Sequence, residues 1–265
     1  MTKPSIIFFG NGPLADSAKI VLEQKCDIIH HATSKKDLPI IEALLRNSPH
    51  KIYGVLASFG IIIKPNFLQL FEPEGILNIH PSRLPDLRGP SPIESAILRG
   101  DTDFSVSVMK LDAKMDAGPL YFQTTLEFTP DTPKTEIYHA LATSGATWIA
   151  EHLEHLPAPV PQSGSATYTK LLDTSLSHLN PSEKSAPELL NTIRAFQGFP
   201  KSRFTINNLD CIILKAHINS HPEPIKNHTD LSLLCSDGSY LVIDRLQPAG
   251  KKPMDAKSFV NGYLK

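Results

Sequence analysis

Short apolar runs alternate with longer amphipathic stretches through the first half of the chain, and this alternation limits the fold more than any other feature. The apolar runs have the length and turn-rich borders of strands, and the longer stretches have helical spacing. Such an alternation predicts an α/β fold with a doubly wound, mostly parallel, Rossmann-like sheet. The predicted strands are Ser5–Phe9, Asp27–His31, Lys51–Leu56, Gly75–His80, Phe104–Lys110 and Leu120–Phe128. The predicted helices are Leu14–Glu23, Lys36–Asn47, Pro92–Arg99 and Thr135–Leu156.

The second half has a different pattern. Residues 157–166 are rich in Pro, Gly and Ser, which is typical of a linker. Short β-rich runs separated by turn residues follow a helix and predict a small antiparallel barrel of OB-like type. We therefore expect a catalytic domain over 1–156, a linker over 157–178 and a second domain over 179–265. The elements predicted there are the helix Ala186–Gln197 and the strands Arg203–Asn207, Cys211–Ala216, Leu231–Cys235 and Tyr240–Leu246.

Composition excludes several classes of protein. A hydrophobic fraction of 41% and a charged fraction of 20% are those of an ordinary globular protein, and the net charge of -1 gives no global signal for nucleic acid or membrane. Lys and Arg outnumber Asp and Glu from residue 177 onwards, so the second part is mildly basic. Three cysteines without C-x-x-C spacing predict neither a metal site nor a disulfide framework, and they favour a cytoplasmic protein.

Asn78, His80 and Asp116 are the strongest candidates for catalysis. Residues two apart on a strand project to the same face, so Asn78 and His80 lie side by side at a strand end, which Pro81 terminates. A lone His at a strand end is more often structural. An amide beside it and a Gly-flanked Asp in a second loop favour a site that polarises a carbonyl and moves a proton.

A second glycine-rich motif is weaker. Gly10, Gly12 and Ala15 are spaced like a dinucleotide fingerprint after the first strand. An NAD site of this kind usually has an acidic residue at the end of the second strand, where this chain has His30 and His31. The spacing therefore favours a tight turn that packs a helix on a strand, and it disfavours a dehydrogenase.

Around the candidate site the chain resembles the folate-dependent formyltransferases. Its second half is similar to the methionyl-tRNA branch of that family, and the resemblance spans nearly the whole chain. The motifs that carry it are Asn78-Ile79-His80, Ser82-Arg83-Leu84-Pro85, Arg88-Gly89-Pro90-Ser91-Pro92, Leu111-Asp112 with Asp116 and Gly118, Tyr168-Thr169-Lys170, and Gln247-Pro248-Ala249-Gly250-Lys251-Lys252.

The resemblance implies an enzyme that transfers formyl from 10-formyltetrahydrofolate to the α-amino group of charged initiator methionyl-tRNA. It implies that Asn78, His80 and Asp116 are catalytic, without a metal, in a protein that acts as a monomer away from membranes. The folate-binding residues would be Ser82, Arg83, Leu84, Pro85, Phe59, Gly60, Ile61 and Ile62, although core packing is an equal explanation for the isoleucines. The tRNA-binding residues would be Arg88, Lys201, Arg203, Lys251 and Lys252.

Two departures from the family pattern keep other functions open. Only Thr33–Asp37 joins the second strand to the next helix, where relatives usually carry a longer basic loop. Arg83 stands where an apolar residue is usual. Formylation of a small amine (an amino sugar or a ribonucleotide), hydrolysis of formyltetrahydrofolate, and a non-catalytic RNA-binding module are the alternatives.

Overall fold

The computed structural model describes residues 3–219 and 231–264, and the chain divides into two compact units. The first contains residues 1–93 and 102–170, and the second contains residues 94–101 and 171–265. Within the described ranges, no helix has the length and apolar character needed to cross a membrane. The functional domain limits predicted above stay a prediction.

The first unit is built on a six-stranded sheet of order β2-β1-β3-β4-β5-β6. Its strands are β1 (Ser5–Phe9), β2 (Asp27–Ala32), β3 (Ile52–Leu56), β4 (Ile76–His80), β5 (Asp103–Lys110) and β6 (Leu120–Glu127). Its helices are α1 (Pro13–Lys25), α2 (Leu38–Asn47), α3 (Pro65–Leu68) and α5 (Lys134–His152), and α4 (Pro92–Arg99) crosses the boundary between the units. Strands β2, β1, β3 and β4 are parallel, whereas β5 and β6 are antiparallel. The doubly wound, mostly parallel fold is confirmed.

The first strand and the turn after it have clear physical causes. Ile6, Ile7, Phe8 and Phe9 are all fully buried, because a central strand of a parallel sheet is covered on both faces. Gly10 follows with a φ of 150°, and a Cβ there would lie 1.9 Å from the carbonyl oxygen of Ala57. The glycine therefore allows a close backbone approach, as the packing interpretation of this motif predicts.

Strand direction places the site residues. The parallel strands β1, β3 and β4 end at the same edge of the sheet, and β4 ends there with His80. Strand β5 runs the other way, so the loop 111–119 begins beside the start of β4, where Leu111 N–H donates to the Ile76 carbonyl at 2.8 Å. This loop extends along β4 and brings Asp116 to His80.

The second unit contains a five-stranded antiparallel sheet that curls as a half-barrel, which confirms the barrel-like prediction. Its elements are α6 (Ala186–Ala195), β7 (Ser202–Ile206), β8 (Leu209–Asn219), β9 (Leu231–Leu234), β10 (Tyr240–Pro248), β11 (Met254–Asp255) and α7 (Ala256–Tyr263). Helix α6 begins with a capping box in which Ser185 and Glu188 bond reciprocally. Leu189, Ile193, Leu241 and Phe259 belong to its hydrophobic core.

Element limits differ from the predictions in a few places. The predicted helix 36–47 begins at Leu38, because Ser34 and Asp37 form a capping box around a short 3₁₀ turn at Lys35–Asp37. Helix α5 ends at His152 and not at residue 156. Strand β11 and helix α7 were not predicted. The strand is only two residues long, and the helix signal is short, although Asp255 caps it through the Ser258 N–H.

Candidate active site

His80 is held from two sides at the end of β4. Its side chain is buried, its Nε2 lies 3.1 Å from the Leu87 carbonyl oxygen, and its Nδ1 lies 3.7 Å from Oδ1 of Asp116. A carbonyl only accepts, so Nε2 must carry the proton in that hydrogen bond. Nδ1 faces Asp116, and it can donate towards that carboxylate only when the ring carries a proton on both nitrogens.

Asp116 is placed by the backbone around it. Its Oδ2 accepts a hydrogen bond from Gly89 N–H at 2.8 Å, and its own φ is 47°. Leu87, which accepts from His80, also has a positive φ, of 55°. Non-glycine residues seldom adopt this left-handed conformation, and it persists where neighbouring contacts hold it. Both partners of His80 therefore occupy backbone positions that the surrounding loops must maintain.

Asn78 lies beside His80 on the same face of β4 and is buried to 5% exposure. Among the described residues, its side-chain amide has no hydrogen-bond partner. Its polar atoms are not fully enclosed, so the amide is able to donate to or accept from a molecule bound at this strand end. The structure brings Asn78, His80 and Asp116 together, and their catalytic roles stay a prediction.

Hydrogen bonds from strands β5 and β6 hold the predicted folate loop 82–85 against the sheet. Ser107 on β5 donates its hydroxyl to the Ser82 carbonyl at 2.7 Å, and Gln123 on β6 donates to the Leu84 carbonyl at 3.0 Å. Ser82 and Leu84 are buried, whereas Arg83 is exposed and donates to the Thr125 hydroxyl at 3.2 Å. Contacts within the protein therefore hold the conformation of this loop. Folate contacts of Ser82–Pro85 stay a prediction.

The second predicted folate segment follows β3, at the edge where His80 also lies. Phe59 is buried in the core of the first unit, and Ile61 packs against that core. Ile62 is 83% exposed, and Gly60 has a φ of 67° with nothing near its missing Cβ. Core packing therefore accounts for Phe59 and for much of Ile61. It does not account for Ile62, which presents apolar surface to solvent.

The predicted tRNA-binding cations have different surroundings. Lys201, Lys251 and Lys252 are exposed, and they make no ion pair within the described part of the chain. Arg203 pairs with Asp210 across β7 and β8, with 2.9 Å between Nη1 and Oδ2. In the first unit, the guanidinium of Arg88 donates to the Gln162 side chain at 2.6 and 3.2 Å. A role for any of them in binding tRNA stays a prediction.

Sequence reasoning missed a group of polar residues that support this site. Ser107 and Gln123 face each other across β5 and β6, and a Ser within the buried run of β5 was a usable signal. Thr167 and Gln162 lie in the stretch that looked like a simple linker. Thr167 accepts from Leu87 N–H at 2.8 Å through its hydroxyl, and its carbonyl accepts from Arg88 N–H at 2.9 Å. No local pattern indicates these long-range partners.

The three thiols are buried and unpaired. Burial raises the pKa of each, and that of Cys26 to about 11. A thiol with a raised pKa is protonated at neutral pH and is a poor nucleophile. No group of acidic, His and Cys side chains in the described ranges has the arrangement of a metal site.

Comparison with known protein families agrees with this geometry. Residues 42–153 match the formyl transferase model, and residues 177–264 match the model of the formyl transferase C-terminal domain. The chain belongs to the formyltransferase family. This formyltransferase is 34% identical over 221 residues to a methionyl-tRNA formyltransferase of Roseiflexus castenholzii, covering 79% of this chain and 70% of the relative. It is 31% identical over 233 residues to the methionyl-tRNA formyltransferase of Thermus thermophilus, and the match covers 84% of this chain and 74% of the relative.

Solved structures share the fold. HypX of Aquifex aeolicus, in complex with tetrahydrofolic acid, superposes with a TM-score of 0.74 at 16% identity. The match covers 98% of this formyltransferase but only 47% of HypX, so the chain spans about half of that protein. The methionyl-tRNA formyltransferase of Clostridium thermocellum gives a TM-score of 0.68 at 19% identity, covering 93% of this chain and 98% of the other.

Proposed function

We propose that this formyltransferase transfers the formyl group of 10-formyltetrahydrofolate to the α-amino group of charged initiator methionyl-tRNA. The observation that supports the chemistry is the His80–Asp116 pair at the carboxyl edge of the sheet, with the Asn78 amide beside it on the same strand face. The observation that supports the acceptor is the similarity, across most of the chain, to methionyl-tRNA formyltransferases.

The reaction needs a stabilised oxyanion. The neutral α-amine attacks the formyl carbon, the carbonyl electron pair moves to oxygen, and a tetrahedral intermediate forms with one negative and one positive end. Asn78 donates an N–H to that oxygen, and a doubly protonated His80 stabilises the same charge. Loss of one such donor costs about 2.7–4 kcal/mol of transition-state stabilisation.

Collapse of the intermediate needs a proton on the leaving nitrogen. The bond between the formyl carbon and folate N10 breaks, the carbonyl re-forms, and the proton lost by the new amide nitrogen is passed to N10. Asp116 stabilises the charged imidazole and relays this proton through water. Positioned proton transfer of this kind contributes about 10²–10⁴-fold in rate.

Folate and tRNA occupy different surfaces in this proposal. The pinned loop Ser82–Pro85 and the segment Phe59–Ile62, with its exposed Ile62, bind the folate beside the site. Arg88 and the second-unit cations Lys201, Arg203, Lys251 and Lys252 contact the tRNA. Such contacts mostly meet phosphates, which contribute affinity and little sequence discrimination. The short capped turn Lys35–Asp37 leaves no long loop after β2 to reach the acceptor end.

The proposal includes a monomer in the cytoplasm, and three cysteines without a disulfide fit a reducing compartment. One assay tests the function: purified protein, 10-formyltetrahydrofolate and charged methionyl-tRNA should yield formyl-methionyl-tRNA. Formylation of a free amino sugar or ribonucleotide, with no product on tRNA, would assign the acceptor to the small-amine class. Release of formate alone would indicate a hydrolase, and tRNA binding without turnover would indicate a non-catalytic module.

A further inference from the structure

Gln162 lies outside the strands and helices, in the Pro-rich stretch that follows α5, yet its side chain is saturated with hydrogen bonds. Its Nε2 donates to the carbonyl oxygens of Asp116 and Gly118, each at 2.8 Å. Its Oε1 accepts two bonds from the Arg88 guanidinium, at 2.6 and 3.2 Å. A carbonyl only accepts and a guanidinium only donates, so the orientation of the amide is chemically determined.

This single side chain joins the two loops that form the candidate site. Arg88 belongs to the loop that carries Leu87 and Gly89, which bond to His80 and to Asp116. The carbonyls that Gln162 binds belong to the loop that carries Asp116 itself. Asp116 has a φ of 47°, an unfavourable conformation that needs contacts to maintain it. Gln162 supplies two of those contacts from the carbonyl side.

We infer that Gln162 is a positioning residue, which holds the Asp116 carboxylate in register with His80 and with the Gly89 amide. The inference rests on the proposed function, because Asp116 takes its catalytic role from there. Arg88 is the partner that fixes the Gln162 amide, and the edge of its guanidinium lies 3.4 Å from the Tyr168 hydroxyl. The supposed linker is thereby a structural part of the active site.

Gln162→Glu separates this role from a merely structural one. A carboxylate at position 162 still accepts from Arg88, so the tie between the linker and the loop 81–91 survives. It cannot donate to the carbonyls of Asp116 and Gly118, and it places a negative charge against them. If Gln162 acts through Asp116, the Gln162→Glu protein loses formyl-transfer activity. If Gln162 only anchors the linker through Arg88, the Gln162→Glu protein keeps that activity.

The experiment measures kcat, KM for 10-formyltetrahydrofolate and the melting temperature for wild type, Gln162→Glu and Gln162→Ala. Gln24→Glu is the matched control, because Gln24 is exposed on α1 and the substitution changes the charge by the same amount. We expect kcat to fall about 100-fold in both Gln162 variants with KM within about threefold, because small misplacements of a catalytic group have effects of that size. Gln24→Glu should equal wild type.

A second readout does not depend on turnover. The amide resonance of Gly89 reports its hydrogen bond to Asp116, so in a ¹⁵N spectrum of the whole protein it should move in Gln162→Glu and stay in Gln24→Glu. Wild-type kcat in Gln162→Glu overturns the inference, and so does a reduced kcat with an unmoved Gly89 resonance. Absence of formyl transfer by the wild-type protein overturns the proposed function instead, and the resonance shift then still tests the positioning of Asp116.

Discussion

Asp116 approaches His80 with 3.7 Å between Oδ1 and Nδ1, while its second oxygen accepts from the Gly89 amide. The carboxylate therefore has one oxygen fixed by the backbone and one aimed at the imidazole. Because Nε2 of His80 donates to the Leu87 carbonyl, Nδ1 is the ring nitrogen that Asp116 faces.

Asp116→Asn should lower kcat for formyl transfer by about 10²-fold or more, because the amide keeps the shape but removes the charge that moves the proton. The neutral Asn oxygen still accepts from Gly89, so the melting temperature should change little. Steady-state kinetics with charged methionyl-tRNA measure the effect, with the exposed Asp131→Asn as the matched control. Rates within twofold of wild type in Asp116→Asn would show that another group transfers the proton.

Lys251→Ala combined with Lys252→Ala should weaken tRNA binding and leave KM for 10-formyltetrahydrofolate unchanged. Each lysine that neutralises a phosphate contributes about one unit to the slope of log Kd against log salt, so the slope should fall by about two. Filter binding over a salt series measures it. Lys184→Ala with Lys257→Ala removes the same charge from exposed positions of the second unit and should leave the slope nearer to wild type. An equal loss in both pairs would indicate a diffuse electrostatic effect.

The local sequence pattern predicted strands and helices whose own residues are apolar enough to require burial. It did not predict residues whose role depends on partners far away in the chain. Ile6–Phe9 is an apolar run that only a covered strand explains, and Asn78 with His80 share a face by strand geometry alone. The Pro and Gly neighbours of Gln162 predict a linker at that position. Its four hydrogen bonds join positions 88, 116, 118 and 162, and no local periodicity indicates such a connection.

Because of the capping box of α6, the free energy of unfolding of the second unit should depend on pH. The Ser185 hydroxyl and then its backbone N–H donate to Glu188, which holds the pKa of that carboxyl below its ordinary value. A lowered folded-state pKa stabilises the fold above the unfolded pKa of about 4.3, and the stabilisation is lost as pH falls through the folded value.

Ser185→Ala should therefore lower the melting temperature at pH 7, with a difference from wild type that shrinks as pH falls below about 4. Thermal unfolding followed by circular dichroism at pH 7, 5 and 3.5 measures this. Ser182→Ala is the control, because the Ser182 hydroxyl bonds to Asn180 and to no carboxylate. If the melting temperature of Ser185→Ala were lower than that of wild type by the same amount at every pH, the loss would come from the bond between the Ser185 hydroxyl and the Glu188 N–H, and not from the Glu188 carboxylate.

Gly10→Ala should destabilise the first unit more than Gly12→Ala, although both glycines have a positive φ that disfavours a side chain. A Cβ on Gly10 meets the Ala57 carbonyl oxygen at 1.9 Å, whereas a Cβ on Gly12 has nothing within 4 Å. We expect about 1 kcal/mol for the conformation alone at Gly12, and a further 1–3 kcal/mol or so for overpacking at Gly10. Trp148, the single tryptophan, stacks on Phe122 and His152 in the first unit, so its fluorescence in a urea titration reports the unfolding of that unit. Equal midpoints for the two variants would mean that the β1–α1 turn relaxes away from Ala57, and that close approach is not what requires glycine there.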